Sequence, residues 1–455
     1  MDLRKILDAI GMCTLERHYA EFVALGTEMA DRAVSGEPGP AFAHDASCVS
    51  ANSPPAKLRC RLLVIDVGGS HTKVGLAERQ ASGDQRWQTL LDRPNEDFDI
   101  GDAGVLPIER FTRALAQFIE DALPGPPGGR RQIGGVGVIW SNALRSVRLA
   151  EGPGPTRGVS GLITGVETAK SYRKGEFFVK GLTDGYDIGR AFLATLADRG
   201  IVPRAFVVGN DTVFTLKACD NADGGMVAST GANATDVDQD GWIYNTEMGG
   251  LCPIPAEWLS EGDKILLAAR PEGSGVALED LMAGKWLPRI FEGHVLALAE
   301  QGLPELQPLA EEIRRHVAEG SDLFGGEDLT RLLQRRSTPV LEQLPGGVWN
   351  DRSRELAREL LAALVARAGK LAAAMAYFSL LHRLATKDHV VLSLDSSQAR
   401  FLPGYLDAMR QALDGLIGAG KRATVLLQNP EGDITVPMKG LAATLAGELA
   451  VAEGM

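Results

Sequence analysis

Leu62-Leu63-Val64-Ile65-Asp66-Val67-Gly68-Gly69-Ser70-His71-Thr72-Lys73-Val74-Gly75-Leu76-Ala77 sets two apolar runs on either side of a Gly-Gly turn. The runs predict strands and the turn predicts a hairpin. Two glycines let backbone N–H groups approach phosphate oxygens with no Cβ in the way. Ser70 adds a hydroxyl, and Asp66 is placed to hold the waters of a bound Mg²⁺. Gly-Gly also occurs in hairpins for turn reasons alone, so this stretch gains its weight from the motifs that lie C-terminal to it.

Working outward, helical spacing of Ile6, Ile10, Leu15, Tyr19, Phe22, Val23 and Met29 predicts a helix over 1–34. Residues 35–58 read as an irregular connector rich in Gly, Pro, Ser and Ala. Strands are expected near 60–66, 72–78 and 86–92, a helix at 107–122, a strand at 135–140, a loop over 151–175, a helix at 187–197 and a strand at 205–208. The order then repeats: strands at 224–229, 231–237 and 242–246, helices at 276–300, 305–317 and 353–383, a strand at 389–394, a helix at 404–416, a strand at 423–427 and a helix at 439–452. The repetition is one of element order, without a repeat in the residues themselves. Two α/β halves with a cleft between them are the expected architecture.

The 455 residues suffice for two or three domains. A formal net charge of -12 argues against nucleic acid or an anionic membrane as the main partner. No apolar run has the length of a membrane span, and Met1 to Glu16 lacks the apolar stretch of a signal peptide. Cys13, Cys48, Cys60, Cys219 and Cys252 are scattered, without C-x-x-C spacing. That disfavours a disulfide framework and a zinc site, and leads to the expectation of a reducing cytoplasm. The seven histidines show no metal-ligand spacing either.

Four further motifs carry polar chemistry. Gly209-Asn210-Asp211-Thr212-Val213 follows a buried-type strand, where side chains at the C-terminal end enter a cleft. A carboxylate there can accept a hydroxyl proton as the oxygen attacks phosphorus. Asn and Asp are equally what a helix N-cap requires. Ser229-Thr230-Gly231-Ala232-Asn233 reads as a second small-residue hairpin, facing the first or simply turning the chain. Asn245-Thr246-Glu247-Met248-Gly249 and Leu278-Glu279-Asp280 each offer a carboxylate for a pair of ligand hydroxyls, although helix carboxylates are commonly just solvated.

In this order the motifs resemble those of the hexokinase family of sugar kinases, within the actin-like ATPase superfamily. Phe178-Val179-Lys180-Gly181 and Val138-Ile139-Trp140-Ser141 add to the likeness, as does the run from Glu279 to Trp286. The resemblance implies a two-lobed actin-like ATPase fold, a duplicated ribonuclease H-like α/β unit with a central cleft. One lobe is expected from 57–208 plus 441–455, the other from 1–56 plus 209–440. It implies ATP as donor, Mg²⁺, and a hexose acceptor, most simply glucose phosphorylated at its 6-hydroxyl. Asp211 would be the general base, and Lys180 would bind sugar and steady charge near the transferring phosphoryl. Ser141, Asn210, Asn233, Glu247 and Glu279 would bind ring hydroxyls. Asp66, Gly68, Gly69, Ser70, Lys73, Thr230 and Ser397 would handle the nucleotide and, at Asp66 through water, the metal.

The chain departs from the family pattern at Val179, Asn142, Met248, Lys73 and Ser396, and the closing Gly-rich run is reduced to Gly432-Asp433-Ile434-Thr435 and Lys439-Gly440-Leu441-Ala442. A side chain at Ser396, where the family has Gly, is expected to crowd the nucleoside and relax donor selectivity. The alternatives are a kinase of another sugar-like alcohol and a sugar-binding regulator that no longer transfers phosphate.

Overall fold

The computed structural model describes residues 7–452 except 9, 44, 51–58, 69–70, 81–84, 99–104, 124–132, 150–155, 165–172, 175–176, 269–274, 339, 341 and 343–349. The opening hairpin is formed by Cys60–Val67 and His71–Arg79, paired antiparallel with Asp66 opposite Lys73. It sits in a seven-stranded sheet ordered Gln85–Pro94, His71–Arg79, Cys60–Val67, Gly135–Trp140, Ala205–Gly209, Arg157–Ile163 and Leu144–Arg148. Cys60–Val67, Gly135–Trp140 and Ala205–Gly209 run parallel, so their C-terminal ends open on one side.

The unbroken apolar run of Cys60–Val67 follows from burial on both faces. Leu63 and Ile65 join the core under the helices Ile108–Ala122 and Ile188–Ala197, with Phe111, Leu115 and Phe192. Leu62 and Val64 face the opposite way, against Leu441 and Leu445 of the C-terminal helix Val436–Ala452.

A second sheet repeats the pattern in the order Asp45–Ser50, Trp242–Asn245, Ala232–Val237, Gly224–Ala228, His389–Ser396 and Arg422–Leu427. Gly224–Ala228 pairs antiparallel with Ala232–Val237 and parallel with His389–Ser396, as Cys60–Val67 pairs with its two neighbours. This is the duplicated α/β fold of the actin-like ATPases. Asp211–Lys217, packed on the second sheet, meets Val436–Ala452, packed on the first, in a helix pair between the sheets. A Cβ on Gly440 would lie 1.8 Å from the Phe214 carbonyl oxygen, so that crossing needs glycine. Asp351–Thr386 is long and apolar enough to cross a membrane by length and composition, but it is mostly buried in the second lobe's core.

Four expected elements differ. The N-terminal helix is broken: Gly11, at φ +73°, turns the chain, and helices span Thr14–Arg17 and Tyr19–Ser35. The connector holds the edge strand Asp45–Ser50, whose partner Trp242–Asn245 is remote in sequence. The 151–175 loop contains the strand Arg157–Ile163, paired on both sides. The 276–300 helix is split into Leu278–Met282 and Leu287–Glu300. Gly284 sits in that break, donating its N–H to the Ser229 carbonyl at 2.7 Å. A Cβ there would meet Gln398 Nε2 at 2.1 Å.

Candidate active site

A cavity of about 1060 Å³ lies where the two sheets present their strand ends and turns, and it is lined from both lobes. The first lobe contributes Asp66, Gly68, Lys73 and Ser141. The chain then supplies Asn210 and Asp211 just past Ala205–Gly209, and the second lobe supplies Thr230, Asn233, Glu247 and Glu279. Ten of the residues assigned to the site from sequence therefore meet in one cleft. Ser397 lines an adjoining cavity of about 600 Å³ that shares Ser229 and Thr230 with the first. Gly69 and Ser70 lie outside the described residues.

Lys180 does not join them. It is exposed at the end of Phe177–Lys180, in a small separate sheet with Val105–Pro107, and is absent from the cavity lining.

The hairpin turn is braced locally. Gly68 N–H donates to the His71 carbonyl at 2.9 Å. Buried Asn95 donates to the Gly68 carbonyl at 3.0 Å and accepts from the Thr72 hydroxyl at 2.7 Å. Asp66 Oδ2 accepts from the Thr435 hydroxyl at 2.7 Å, tying the strand end to the start of the C-terminal helix. Lys73 pairs with Asp92 at 3.1 Å on the neighbouring strand.

Both readings of the Asn210-Asp211 pair hold at once. Asn210 Oδ1 caps the helix Asp211–Lys217 by accepting from Thr212 N–H at 2.9 Å. Its Nδ2 donates to the Asn142 carbonyl at 3.2 Å, drawing it to the strand end that carries Ser141. The cap leaves Asp211 at the first helical position, where its carboxylate lines the cavity beside the positive end of the helix.

Glu247 is held in the left-handed region at φ 48°, unusual for a residue with a Cβ. Its Oε1 accepts from Asn245 Nδ2 at 2.7 Å, and Asn245 Oδ1 accepts from Asn233 Nδ2 at 2.8 Å. Gly249 follows because a Cβ there would lie 1.8 Å from the Ala232 carbonyl. Glu279 Oε2 accepts from Ala232 N–H at 3.2 Å, a position made possible by the split helix. The carboxylates of Glu247 and Glu279 are thus both anchored at the start of the strand Ala232–Val237.

Ser396 is not among the described residues lining either cavity. It is fully buried, and its hydroxyl caps the short helix Ser397–Phe401 by accepting from Ala399 N–H at 3.0 Å. Asp395 lines the main cavity and pairs with Arg400 at 2.8 Å. Burial raises its pKa above the ordinary value, and Arg400 only partly opposes that. Asn95, Asn245, Thr435 and Lys285, which lines both cavities, were missed from sequence. Asn245 was within reach as part of a motif already singled out. Asn95 carried no motif and Thr435 stood only in the reduced closing run, and both act through partners distant in sequence.

Residues 221–435 match the model of the hexokinase family. No curated protein sequence matches the chain. Among solved structures, a hexokinase from Schistosoma mansoni complexed with glucose superposes with a TM-score of 0.69 at 17% identity, covering 98% of this chain and 100% of that one. A second hexokinase crystal structure gives 0.64 at 17% identity, covering 98% of this chain and 96% of that one. The matched segment carries the second hairpin, Glu247 and Glu279, and the fold similarity extends over nearly the whole chain. On these findings, residues 221–435 are similar in sequence to the hexokinase family, and the chain shares the hexokinase fold along nearly its whole length.

Proposed function

We propose that this protein is an ATP-dependent hexose kinase that transfers the γ-phosphoryl group to the 6-hydroxyl of glucose or a similar hexose. One observation carries the reading: Asp211 shares a cavity with Asn210, Asn233, Glu247 and Glu279 on one side, and with Gly68 and Thr230 on the other. The Schistosoma mansoni relative, solved with glucose, supports a sugar as the acceptor.

In this reading the two anchored glutamates and Asn233 receive and orient ring hydroxyls. Each hydroxyl left unpaired would cost about 1–3 kcal/mol, which is how such a pocket selects its sugar. Asp211 takes the proton of the attacking hydroxyl as the O–P bond forms and the bond to the leaving phosphate breaks. The backbone at Gly68 and the Thr230 hydroxyl steady the phosphates. The adjoining cavity, with Ser397, Gln398, Phe401 and Leu402, has the apolar wall and polar edge that suit a nucleoside.

The residues fit magnesium arriving with the nucleotide better than a caged ion. Among the described residues no group of three or more His, Cys, Asp or Glu side chains is arranged to hold a metal, and Asp66 at the hairpin would hold Mg²⁺ through water. Bound Mg²⁺ would supply neutralisation of phosphate charge. Lys180 would reach the transferring phosphoryl only on closure of the lobes.

The test is a coupled assay across sugars and donors, with Asp211→Ala beside the natural sequence. We expect turnover with ATP and a hexose, and a fall of about 10²–10⁴ in kcat for the variant with sugar binding retained. Sugar binding without phosphoryl transfer by the natural sequence would point to a regulator instead. Normal turnover by a folded Asp211→Ala protein would remove the base assignment.

A further inference from the structure

Two helices share the lining of the cavity that adjoins the cleft. Leu287 and Pro288 come from the start of Leu287–Glu300, and Gly326, Glu327, Leu329 and Thr330 come from Gly326–Leu333. What ties the second helix to the first lies behind the cavity. Glu292 stands one turn beyond Pro288 on the same face of Leu287–Glu300. It is fully buried, and its Oε1 accepts from the Phe324 N–H at 2.8 Å. Phe324 lies two residues before the second helix, and its ring meets that of Phe291 edge-on at 5.3 Å. The next residue, Gly325, donates its N–H to Asp328 Oδ2 at 2.9 Å, so the turn is bound to the helix that it starts. A shift of Phe324 is therefore passed to the residues that line the cavity. On the outside, Arg289 Nε donates to Asp322 Oδ1 at 2.8 Å and adds a second, partly exposed tie.

Glu292 is a costly residue to place there. Its Oε2 is buried and makes no hydrogen bond, and a buried polar atom without a partner lowers stability. An apolar side chain of similar size would fill the same space without that cost. What the carboxyl supplies and packing cannot is an acceptor for Phe324, which fixes where the turn before Gly326–Leu333 sits.

We infer that Glu292 is a positioning residue for the phosphoryl donor: by holding Phe324 it sets the helix Gly326–Leu333 in place as a wall of the nucleoside cavity. The inference rests on the kinase reading, in which that cavity takes the nucleoside. Glu292 lines neither cavity and acts only through the wall.

The test measures steady-state kinetics with glucose and ATP, and calorimetric titration with ATP, on the natural sequence, Glu292→Leu, Glu292→Gln and Asp322→Ala. Denaturant midpoints establish that each variant is folded. Glu292→Leu is expected to raise KM and Kd for ATP about tenfold, the loss of one buried hydrogen bond. Its kcat at saturating ATP and its KM for glucose should stay within about twofold, because the wall touches neither the sugar nor the reacting atoms. Glu292→Gln keeps an acceptor oxygen and should restore most of the ATP affinity. Asp322 is exposed, so Asp322→Ala leaves the core intact and should weaken ATP in the same direction by a smaller factor; it decides the matter where Glu292→Leu does not fold. Unchanged ATP affinity in the folded variants overturns the inference, as does a Gln variant as impaired as the Leu variant or a glucose KM that rises in step with that for ATP. ATP binding without phosphoryl transfer by the natural sequence would remove the kinase reading and leave the Kd series to judge Glu292. A natural sequence that binds no ATP would remove both.

Discussion

At the scale of single residues, the cleft depends on carboxylates anchored by amides. Glu247 is steered by Asn245, and Glu279 by the Ala232 N–H. A carboxylate accepts strong hydrogen bonds at both oxygens, whereas an amide accepts at one and donates at the other. Glu247→Gln and Glu279→Gln are therefore each expected to weaken glucose binding by about tenfold or more, read by calorimetry. Unchanged affinity in both would place the sugar elsewhere. A second residue-scale prediction lies away from the cleft, on the helix Leu287–Glu300. Burial pushes Glu292 up to about 7, while burial also pushes His294 down to about 4. Between about pH 4.5 and 6.5 the folded chain holds a proton on Glu292 that the unfolded chain has released. In the same window it lacks on His294 one that the unfolded chain has bound. The Glu292 contribution makes stability fall as pH rises, and the His294 contribution makes it rise, so the two slopes oppose. Removing the first with Glu292→Gln should steepen the loss of stability on acidification across that window. Denaturant midpoints at several pH values measure this, and an unaltered slope would count against the opposed pair.

At the scale of elements, the helix pair between the sheets is set by close backbone contact. Gly440 on the C-terminal helix touches the Phe214 carbonyl, and a methyl group there has no space. Gly440→Ala is expected to cost about 1–3 kcal/mol by overpacking, seen as a lower denaturant midpoint. Because Thr435 at the foot of the same helix holds Asp66, the variant should also weaken nucleotide binding. A midpoint equal to that of the natural sequence would mean that the helices separate at little cost. This contact gives the reduced Lys439-Gly440-Leu441-Ala442 run a purpose that its sequence alone concealed.

At the scale of the molecule, the distance of Lys180 from the cavity bears on motion. Its small sheet pairs with Val105–Pro107 of the first lobe, and Glu247 and Glu279 belong to the second. If glucose bridges the lobes, its addition should contract the protein, measurable as a smaller radius of gyration in solution scattering. Lys180→Met should then lower kcat more than it weakens sugar affinity. Unchanged scattering on glucose binding would exclude closure as the means of bringing Lys180 to the phosphoryl group.

Much of this was legible in the residues alone because it is local. The hairpin around Gly68 follows from two apolar runs and a turn. Asn210 follows from a strand that ends in a capping residue, and the 229–233 and 245–249 turns follow from small residues between strands. The features that stayed hidden depend on partners remote in the chain. Asp45–Ser50 is a strand because Trp242–Asn245 offers an edge. The 276–300 segment is split at Gly284, which packs against Ser229 and Gln398. Ser396 turns inward because the helix after it needs a cap. Periodicity and turn chemistry act over a few residues, so sequence determined the elements, the two-lobed order and most of the cleft's polar groups. Burial, strand partners and the space around a Cβ belong to the folded molecule. They alone decided that Asn95 and Thr435 brace the hairpin and that Glu247 and Glu279 meet at the start of the strand Ala232–Val237.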